Sequence, residues 1–155
     1  MKTTIHTVSK HSWDRRFFKL AEEVSCWSKD PGAQVGAVIV APSKREVVIG
    51  YNGFVRGAHD DDYSLLTTKE KNELTVHAEL NAILNARRPL TGWTLYTTKA
   101  ACSACALVII QAGITRVVAP RPEDSAWKAS QNSALHLFDT ARIQRANVED
   151  IIACV

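Results

Sequence analysis

Four residues in the sequence have the types and spacing of a metal-dependent catalytic site. His77 and Glu79 are separated by one residue, and Cys102 and Cys105 are separated by two. Imidazole and thiolate are ligands that zinc prefers, and a set of three leaves the fourth tetrahedral position for water. Zinc activates water at neutral pH, and a carboxylate outside the ligand set can move protons as an acid and a base. The pattern predicts a hydrolytic zinc site with His77, Cys102 and Cys105 as ligands and Glu79 as proton carrier.

Each pair of residues is predicted to lie at the start of a helix. One helix begins near Val76 and ends before Pro89, and the other runs from Cys102 to Ala112 and ends at Gly113. Residues three apart on a helix share a face, so both thiols can point at one ion. The free N–H groups and the positive dipole end of the first turn lower the pKa of a thiol. This favours the thiolate that zinc needs.

The other elements are predicted from hydrophobic spacing and from turn residues. Pro31 ends the first helix, and a turn at Pro42 joins two strands as a hairpin. The alternation of helices and strands predicts one α/β domain over residues 1–155, with helices on both faces of a mixed sheet. In chain order the elements are a helix at 13–24 with Ser12 as N-cap, strands at 35–40 and 46–49, a loop at 51–63, strands at 93–97 and 115–119, a helix at 130–142 and a strand at 143–148.

The composition restricts the class of protein. With 46% apolar and 23% charged residues, the chain has a globular composition and not a disordered one. The net charge of +3 suits an anionic small molecule but is too small and too scattered for a nucleic-acid platform. The N-terminus lacks the apolar run of a secretory signal, and no segment approaches the roughly 20 apolar residues that cross a bilayer. We therefore expect a cytoplasmic protein without membrane contact, in which disulfides are rare.

Each half of the metal pattern has a simpler interpretation when it is taken alone. A Cys-x-x-Cys pair also occurs in redox-active proteins and structural zinc sites, and it arises by coincidence. A single histidine at a helix start is more often a capping or surface residue. The joint pattern is more specific, because His-x-Glu, a strand and then Cys-x-x-Cys at a helix start match the signature of zinc deaminases. In that signature the glutamate carries the proton and is not a ligand.

Seven segments spread over nearly the whole chain carry a family resemblance. They are Ser28-Lys29-Asp30-Pro31, Val35-Gly36-Ala37-Val38-Ile39-Val40, Gly50-Tyr51-Asn52-Gly53-Phe54, His77-Ala78-Glu79-Leu80-Asn81-Ala82-Ile83, Leu95-Tyr96-Thr97-Thr98, Cys102-Ser103-Ala104-Cys105-Ala106 and Gln111-Ala112-Gly113-Ile114. In this order they resemble deoxycytidylate (dCMP) deaminases. The resemblance implies the cytidine deaminase-like fold, a three-layer α/β/α domain with a five-stranded mixed sheet. It also implies hydrolysis of dCMP to dUMP with release of ammonia.

The resemblance also implies a role for each residue of the metal pattern. His77, Cys102 and Cys105 would hold zinc. Glu79 would take a proton from the zinc-activated water and protonate ring N3 while oxygen attacks C4. It would then return a proton to the departing amino group. One carboxylate that acts first as base and then as acid works best with a pKa near the working pH, which an enclosed site can supply.

The loop around Asn52 and Gly53 resembles the nucleotide-contacting loop of the family. Asn52 and Asn81 can donate and accept hydrogen bonds to sugar or base, and Arg56 can clamp a phosphate bidentately. In many members this region also shapes a site where dCTP with Mg²⁺ activates and dTTP inhibits. Two alternatives stay open, because Asn52-Gly53 is also a common turn and Arg56 is equally a solvated loop charge.

Two residues depart from the family pattern. Ala101 stands where proline usually precedes the first ligand cysteine, and Val55 stands where proline usually follows Gly-Phe in the nucleotide loop. Proline is pre-organised for the start of a helix, so Ala101 is expected to loosen this turn slightly without the loss of a ligand. Because Val55 lies in the nucleotide loop, it is expected to affect substrate choice and effector binding more than zinc binding.

Three functions of different classes compete. The first is the dCMP deaminase, for which the family also implies a homo-oligomer, expected to be a hexamer. The second keeps the zinc chemistry but acts on a nucleoside, a 5-substituted dCMP, tRNA or single-stranded DNA. A nucleic-acid substrate requires a basic groove, to which Arg142 and Arg145 alone are insufficient. The third is a non-catalytic regulator that binds a nucleotide and has a structural zinc, which predicts a fourth protein ligand.

Several residues remain outside this pattern. His6, His11 and His59 could form a second metal site, although scattered surface histidines explain them as well. Cys26 is predicted as a small buried hydrophobe on the first helix, and Cys154 as a tail residue. The four tryptophans are expected in the core or at a subunit interface and not as a base-stacking row; they are Trp13, Trp27, Trp93 and Trp127.

Overall fold

Residues 12–153 are described by a computed structural model in which helices alternate with strands. The strands are β1 (Gly36–Val40), β2 (Val47–Tyr51), β3 (Thr94–Thr97), β4 (Arg116–Ala119) and β5 (Gln144–Asn147). The helices are α1 (Ser12–Ser25), α2 (Thr68–Leu74), α3 (Ala78–Ala86), α4 (Ser103–Gln111), α5 (Lys128–Thr140) and α6 (Val148–Ala153), with a 3₁₀ helix at Asp60–Tyr63. Within this part of the chain, no helix combines the length and the apolarity of a membrane span.

The five strands form one mixed sheet in the order β2-β1-β3-β4-β5. Strand β1 pairs antiparallel with β2 and with β3, whereas β3, β4 and β5 are parallel. Ala37 and Ile39 pack in the core beneath α3, α4 and α5, while Val38 and Val40 pack on the opposite face against α1 and α6. The alternation of side chains along a strand thus builds two cores, one on each side of the sheet. The predicted α/β/α layers and the five-stranded mixed sheet are confirmed.

Helices α2 and α6 were not predicted from the sequence. Helix α2 follows a capping box, in which the Thr67 N–H donates to the Glu70 carboxylate at 2.9 Å and the Glu70 N–H donates to the Thr67 hydroxyl at 3.3 Å. The Thr-x-x-Glu pattern is a known signal for a helix start. The predicted loop at 51–63 also contains the 3₁₀ helix, where Phe54 and Tyr63 stack with their ring centroids 3.6 Å apart.

Two local predictions at the ends of α1 are wrong. Ser12 was expected as the N-cap but is the first helical residue, so the N-cap position falls outside the described residues. Cys26 was expected to be buried but is exposed, because α1 ends one residue earlier at Ser25. Cys154 lies outside the described part of the chain, as do His6 and His11 of the predicted second metal site.

The close packing of α3 on the sheet depends on a glycine in β2. A Cβ atom at Gly50 would lie 2.3 Å from the backbone nitrogen of Ala82 and 2.5 Å from the carbonyl oxygen of Ala78. No side chain fits at such distances, so any larger residue must push α3 away from the sheet. Since His77 and Glu79 lie at the start of α3, Gly50 also sets the position of the candidate site.

We expect Gly50→Ala to lower the free energy of unfolding strongly and to reduce zinc content, because its methyl group collides with the backbone of α3. Gly53→Ala is the matched control, since nothing lies within 4 Å of a Cβ atom at that position. Urea unfolding and zinc content of the two purified variants check this prediction. If Gly50→Ala has the same unfolding midpoint as Gly53→Ala, the close contact between Gly50 and the backbone of α3 is contradicted.

Candidate active site

His77 and Cys102 occupy equivalent positions on two helices. His77 is the N-cap of α3, with φ −70° and ψ 152°, and Cys102 is the N-cap of α4, with φ −79° and ψ 167°. The first bonds of the two helices run from the Asn81 N–H to the His77 carbonyl and from the Ala106 N–H to the Cys102 carbonyl. Cys105 lies in the first turn of α4. The prediction that both segments start a helix is confirmed.

The two helix starts bring three potential ligand atoms together. The Nδ1 atom of His77 lies 3.5 Å from the Sγ of Cys102 and 3.4 Å from the Sγ of Cys105. All three ligand atoms lie within 4.8 Å of one another. Two atoms at usual zinc distances and a tetrahedral angle are roughly 3.6 Å apart, so donor types and spacing both fit zinc. No other His, Cys, Asp or Glu among residues 12–153 joins this group.

The three candidate ligand residues affect one another's protonation. The hydrogen bond from the Cys105 thiol and the contact with His77 together outweigh burial and lower the pKa of Cys102 to about 4. The same hydrogen bond raises the pKa of Cys105, and burial adds to this. The hydrogen bond with Cys102 raises the pKa of His77. The site thus favours one thiolate and keeps protons on its neighbours, which metal binding would displace.

Glu79 lies in the first turn of α3 and is only 4% exposed. Burial raises the pKa of its carboxyl group. Its carboxylate is not part of the group of ligand atoms, but it lines the same cavity as His77 and Cys102. A carboxyl group beside the metal centre but outside the ligand set is placed to exchange protons with a substrate.

A cavity of about 220 Å³ lies over this centre. Its lining includes Glu79 and the candidate ligands His77 and Cys102. The Trp127 ring stands edge-on to the His77 imidazole, with the ring centroids 5.5 Å apart. Other polar residues that line the cavity come from several separate segments; they are Asp30, Asn52, Asn72, Thr75, Lys99, Glu123, Ser125 and Gln131.

Of the residues predicted to contact nucleotide, Asn52 is the one that lines the cavity. Its Oδ1 accepts a hydrogen bond from the Val35 N–H at 2.8 Å, and its Nδ2 donates to the Ala33 carbonyl at 2.8 Å. The Ser28 hydroxyl donates to the Asn52 carbonyl, also at 2.8 Å. Asn52 therefore fixes the segment before β1 against the end of β2.

Gly53, Arg56 and Asn81 do not line the cavity. The backbone of Gly53 pairs with that of Val76, and the exposed Arg56 donates to Asn85 Oδ1 at 3.2 Å. The Asn81 side chain donates to the Tyr51 carbonyl at 2.8 Å. These contacts connect the loop to α3. The roles of the three residues in substrate or effector binding stay predictions.

Sequence reasoning missed the residues that follow β4 and the lysine that follows β3. Trp127 was expected in the core or at an interface, yet its ring forms a wall of the cavity. The segment 120–127 has no hydrophobic period that would have predicted its path. Lys99 gave a clearer signal, because it stands only three residues before Cys102.

Asp30 and Lys71 form a buried ion pair beside the cavity. The Lys71 ammonium lies 2.7 Å from both carboxylate oxygens, and the two side chains are 13% and 3% exposed for Lys71 and Asp30. Burial alone would raise the pKa of Asp30, but Lys71 and the N–H groups of Gly32 and Ala33 outweigh it and the net pKa is lowered. The pair connects α2 to the segment that Asn52 fixes.

Comparison with known proteins places this geometry in a family. Residues 11–120 match the family model described as the cytidine and deoxycytidylate deaminase zinc-binding region. The chain is 40% identical over 139 residues to an uncharacterized deaminase in the luxG 3′ region of Aliivibrio fischeri, a match that covers 85% of this chain and 90% of that protein. It is also 40% identical over 112 residues to human deoxycytidylate deaminase, which covers 68% of this chain and 63% of the human protein.

The fold is similar to that of the dCMP deaminase of cyanophage S-TIM5, solved in complex with dCMP and dUMP. The TM-score is 0.71 at 21% identity, and the match covers 90% of this chain and 99% of that one. The sheet, the ligand set and these similarities together define the class as zinc-dependent deaminases. More narrowly, the chain belongs to the cytidine and deoxycytidylate deaminase family.

We expect Cys105→Ala to lose most of its zinc, because two of the three ligand atoms do not hold a tetrahedral ion firmly. Cys26→Ala is the matched control, since Cys26 is exposed and outside the group of ligand atoms. Zinc is measured per chain after dialysis against a weak chelator. Equal zinc in the two variants would contradict the assignment of Cys105.

We expect Asp30→Asn to be about 3 kcal/mol less stable than the wild type at pH 7, because it leaves the Lys71 charge buried without its partner. The folded-state pKa of Asp30 lies below the ordinary value of about 4, so its contribution is complete above that value and is lost as pH falls through the folded pKa. Urea unfolding at pH 7 and at decreasing pH below 4 measures this difference, which should shrink in acid. Asp60→Asn, in the exposed pair with Lys29, should change little at either pH.

Proposed function

We propose that this protein catalyses the hydrolytic deamination of dCMP to dUMP with release of ammonia. The observation that carries the proposal is the buried Glu79 carboxyl group in the lining of a cavity, beside three converging zinc-type ligands. The names of the human relative and of the cyanophage enzyme support dCMP as the substrate. The match to the human enzyme covers 63% of that protein.

In this proposal three residues bind the metal and a fourth residue transfers protons. His77, Cys102 and Cys105 would hold zinc, which would supply Lewis-acid chemistry that lowers the pKa of water. Glu79 would accept a proton from the attacking water and deliver it to ring N3, and a second proton would reach the amino group through the same carboxylate. One water molecule is consumed, a C4–O bond forms, the C4–N bond breaks and ammonia leaves.

The competing functions have less support. A regulator with a structural zinc requires a fourth protein ligand, and the group in residues 12–153 contains three. A nucleic-acid substrate requires a basic groove, whereas Asp30 and Glu123 are among the residues that line the cavity. A nucleoside or a 5-substituted dCMP would use the same centre and differs only in its contacts at the other end of the cavity.

The family resemblance supports four further proposals. Asn52, Gly53, Arg56 and Asn81 would shape substrate and effector contacts, and the stacked Phe54 and Tyr63 rings would order their loop. The enzyme would be activated by dCTP with Mg²⁺ and inhibited by dTTP. It would work as a single deaminase domain in a homo-oligomer, expected to be a hexamer. Its expected location is the cytoplasm.

We expect Glu79→Gln to lower kcat for dCMP by about 10²- to 10⁴-fold and to keep its zinc, because the amide has the same size but cannot carry the proton. Ammonia release and zinc content are measured together. Glu73→Gln on the exposed face of α2 is the control and should keep full activity. Glu79→Gln with wild-type turnover would rule out the proton-carrier role, and loss of zinc would indicate a ligand.

A further inference from the structure

The side chains that line the cavity include more acidic residues than lysines or arginines. Lys99 is the single lysine or arginine among the described residues that line it, whereas Asp30, Glu79 and Glu123 are acidic. Asp30 already has a cation as its partner in Lys71. Glu79 is buried and lines the cavity together with the candidate ligands His77 and Cys102. Lys99 is therefore the one lysine or arginine of the described lining that an anionic group of a substrate could contact.

Lys99 and Glu123 are the partly exposed charged residues of the cavity lining, whereas Asp30 and Glu79 are buried. The Lys99 Nζ lies 2.7 Å from Glu123 Oε1 and 3.0 Å from Oε2, and the two side chains are 41% and 51% exposed. An ion pair with this exposure is weak, because water screens both charges. Its lysine can therefore exchange Glu123 for another anion at little cost, whereas the buried Lys71 cannot leave Asp30.

Gln131 holds both halves of this ion pair in place. It is buried, and its Oε1 accepts from the Glu123 N–H at 3.3 Å while its Nε2 donates to the Ala100 carbonyl at 3.2 Å. Gln131 thus ties the residue after Lys99 to the loop that carries Glu123. Because Lys99 and Cys102 are in one short segment, the lysine has a fixed relation to the metal centre.

The cavity is too small to enclose a whole nucleotide, which leaves the phosphate near its exposed residues. Its volume of about 220 Å³ is below the roughly 300 Å³ at which pockets for drug-sized ligands begin. A cytosine ring at the metal centre and its sugar would occupy the interior, which leaves the 5′-phosphate near the exposed side chains. Arg56, which the sequence offered as a phosphate clamp, is bonded to Asn85 outside the cavity.

We propose that Lys99 selects the nucleotide over the nucleoside by contacting the 5′-phosphate, and that Glu123 competes with the phosphate for Lys99. This proposal rests on the proposed deamination of a cytosine nucleotide. It assigns to Lys99 a charge-assisted contact with a phosphate, which is stronger than a neutral hydrogen bond. Glu123 then lowers the affinity for the nucleotide, because its carboxylate must give up the lysine first.

The test compares kcat/KM for dCMP and for deoxycytidine in the wild type, Lys99→Met and Glu123→Gln. Lys99→Met should lower the ratio of the two values by about tenfold, the loss of one charge-assisted contact. Glu123→Gln should raise the ratio. Lys128→Met is the control, because Lys128 pairs with Asp124 on the exposed surface and does not line the cavity; its ratio should be that of the wild type.

A binding measurement separates this proposal from the proposed reaction. Calorimetry with dUMP and deoxyuridine on the same zinc-loaded proteins gives the preference for phosphate without any turnover. If the wild type does not deaminate but Lys99→Met still loses the preference for dUMP, the proposed reaction fails and the role of Lys99 stands. If Lys99→Met weakens both ligands equally, or weakens neither, the role of Lys99 is overturned even in an active enzyme.

Discussion

The candidate site depends on one constraint: the N-termini of α3 and α4 must lie next to each other. His77 and Cys102 are 25 residues apart in the chain, and their ligand atoms are 3.5 Å apart. Backbone hydrogen bonds to the sheet fix both starts. Val76 pairs with Gly53 after β2, and the Thr98 N–H donates to the Gly36 carbonyl at the start of β1. The segment before α3 is thus tied to the end of β2, and the segment before α4 is tied to β1, which is the neighbour of β2 in the sheet.

This placement also determines the electrostatics of the site. An N-cap residue has its side chain beside the free N–H groups of the first turn, where negative charge is stabilised. Cys102 and Cys105 share a hydrogen bond, which lowers the pKa of Cys102 and, together with burial, raises the pKa of Cys105. One thiol therefore ionises while the other keeps its proton. A divalent cation would take the place of that proton and let both sulfur atoms carry charge, so the close approach of the two thiols also suits a metal.

The sequence was most informative where the chemistry was local. The pairs His77–Glu79 and Cys102–Cys105 were found because a ligand pattern needs only a few neighbouring positions. Strands β1, β2 and β4 were found because they are short runs rich in β-branched residues. Lys99, Glu123 and Trp127 were not found, since they belong to one cavity only after β4 and α5 have packed. Helix α2 was missed for a different reason, because its Thr67–Glu70 capping box precedes a polar segment without a strong hydrophobic period.

The departure at Ala101 shows how such tertiary contacts replace a local signal. Without proline, nothing in the sequence itself holds the segment before Cys102 in an extended conformation. The structure supplies two bonds instead, since the Gly36 N–H donates to the Thr98 hydroxyl and Gln131 donates to the Ala100 carbonyl. Ala101 is buried in the same core as the ligand cysteines. The ψ of 167° at Cys102 is therefore maintained by residues from β1 and α5, and Gln131 contacts both the segment before Cys102 and the loop that carries Glu123.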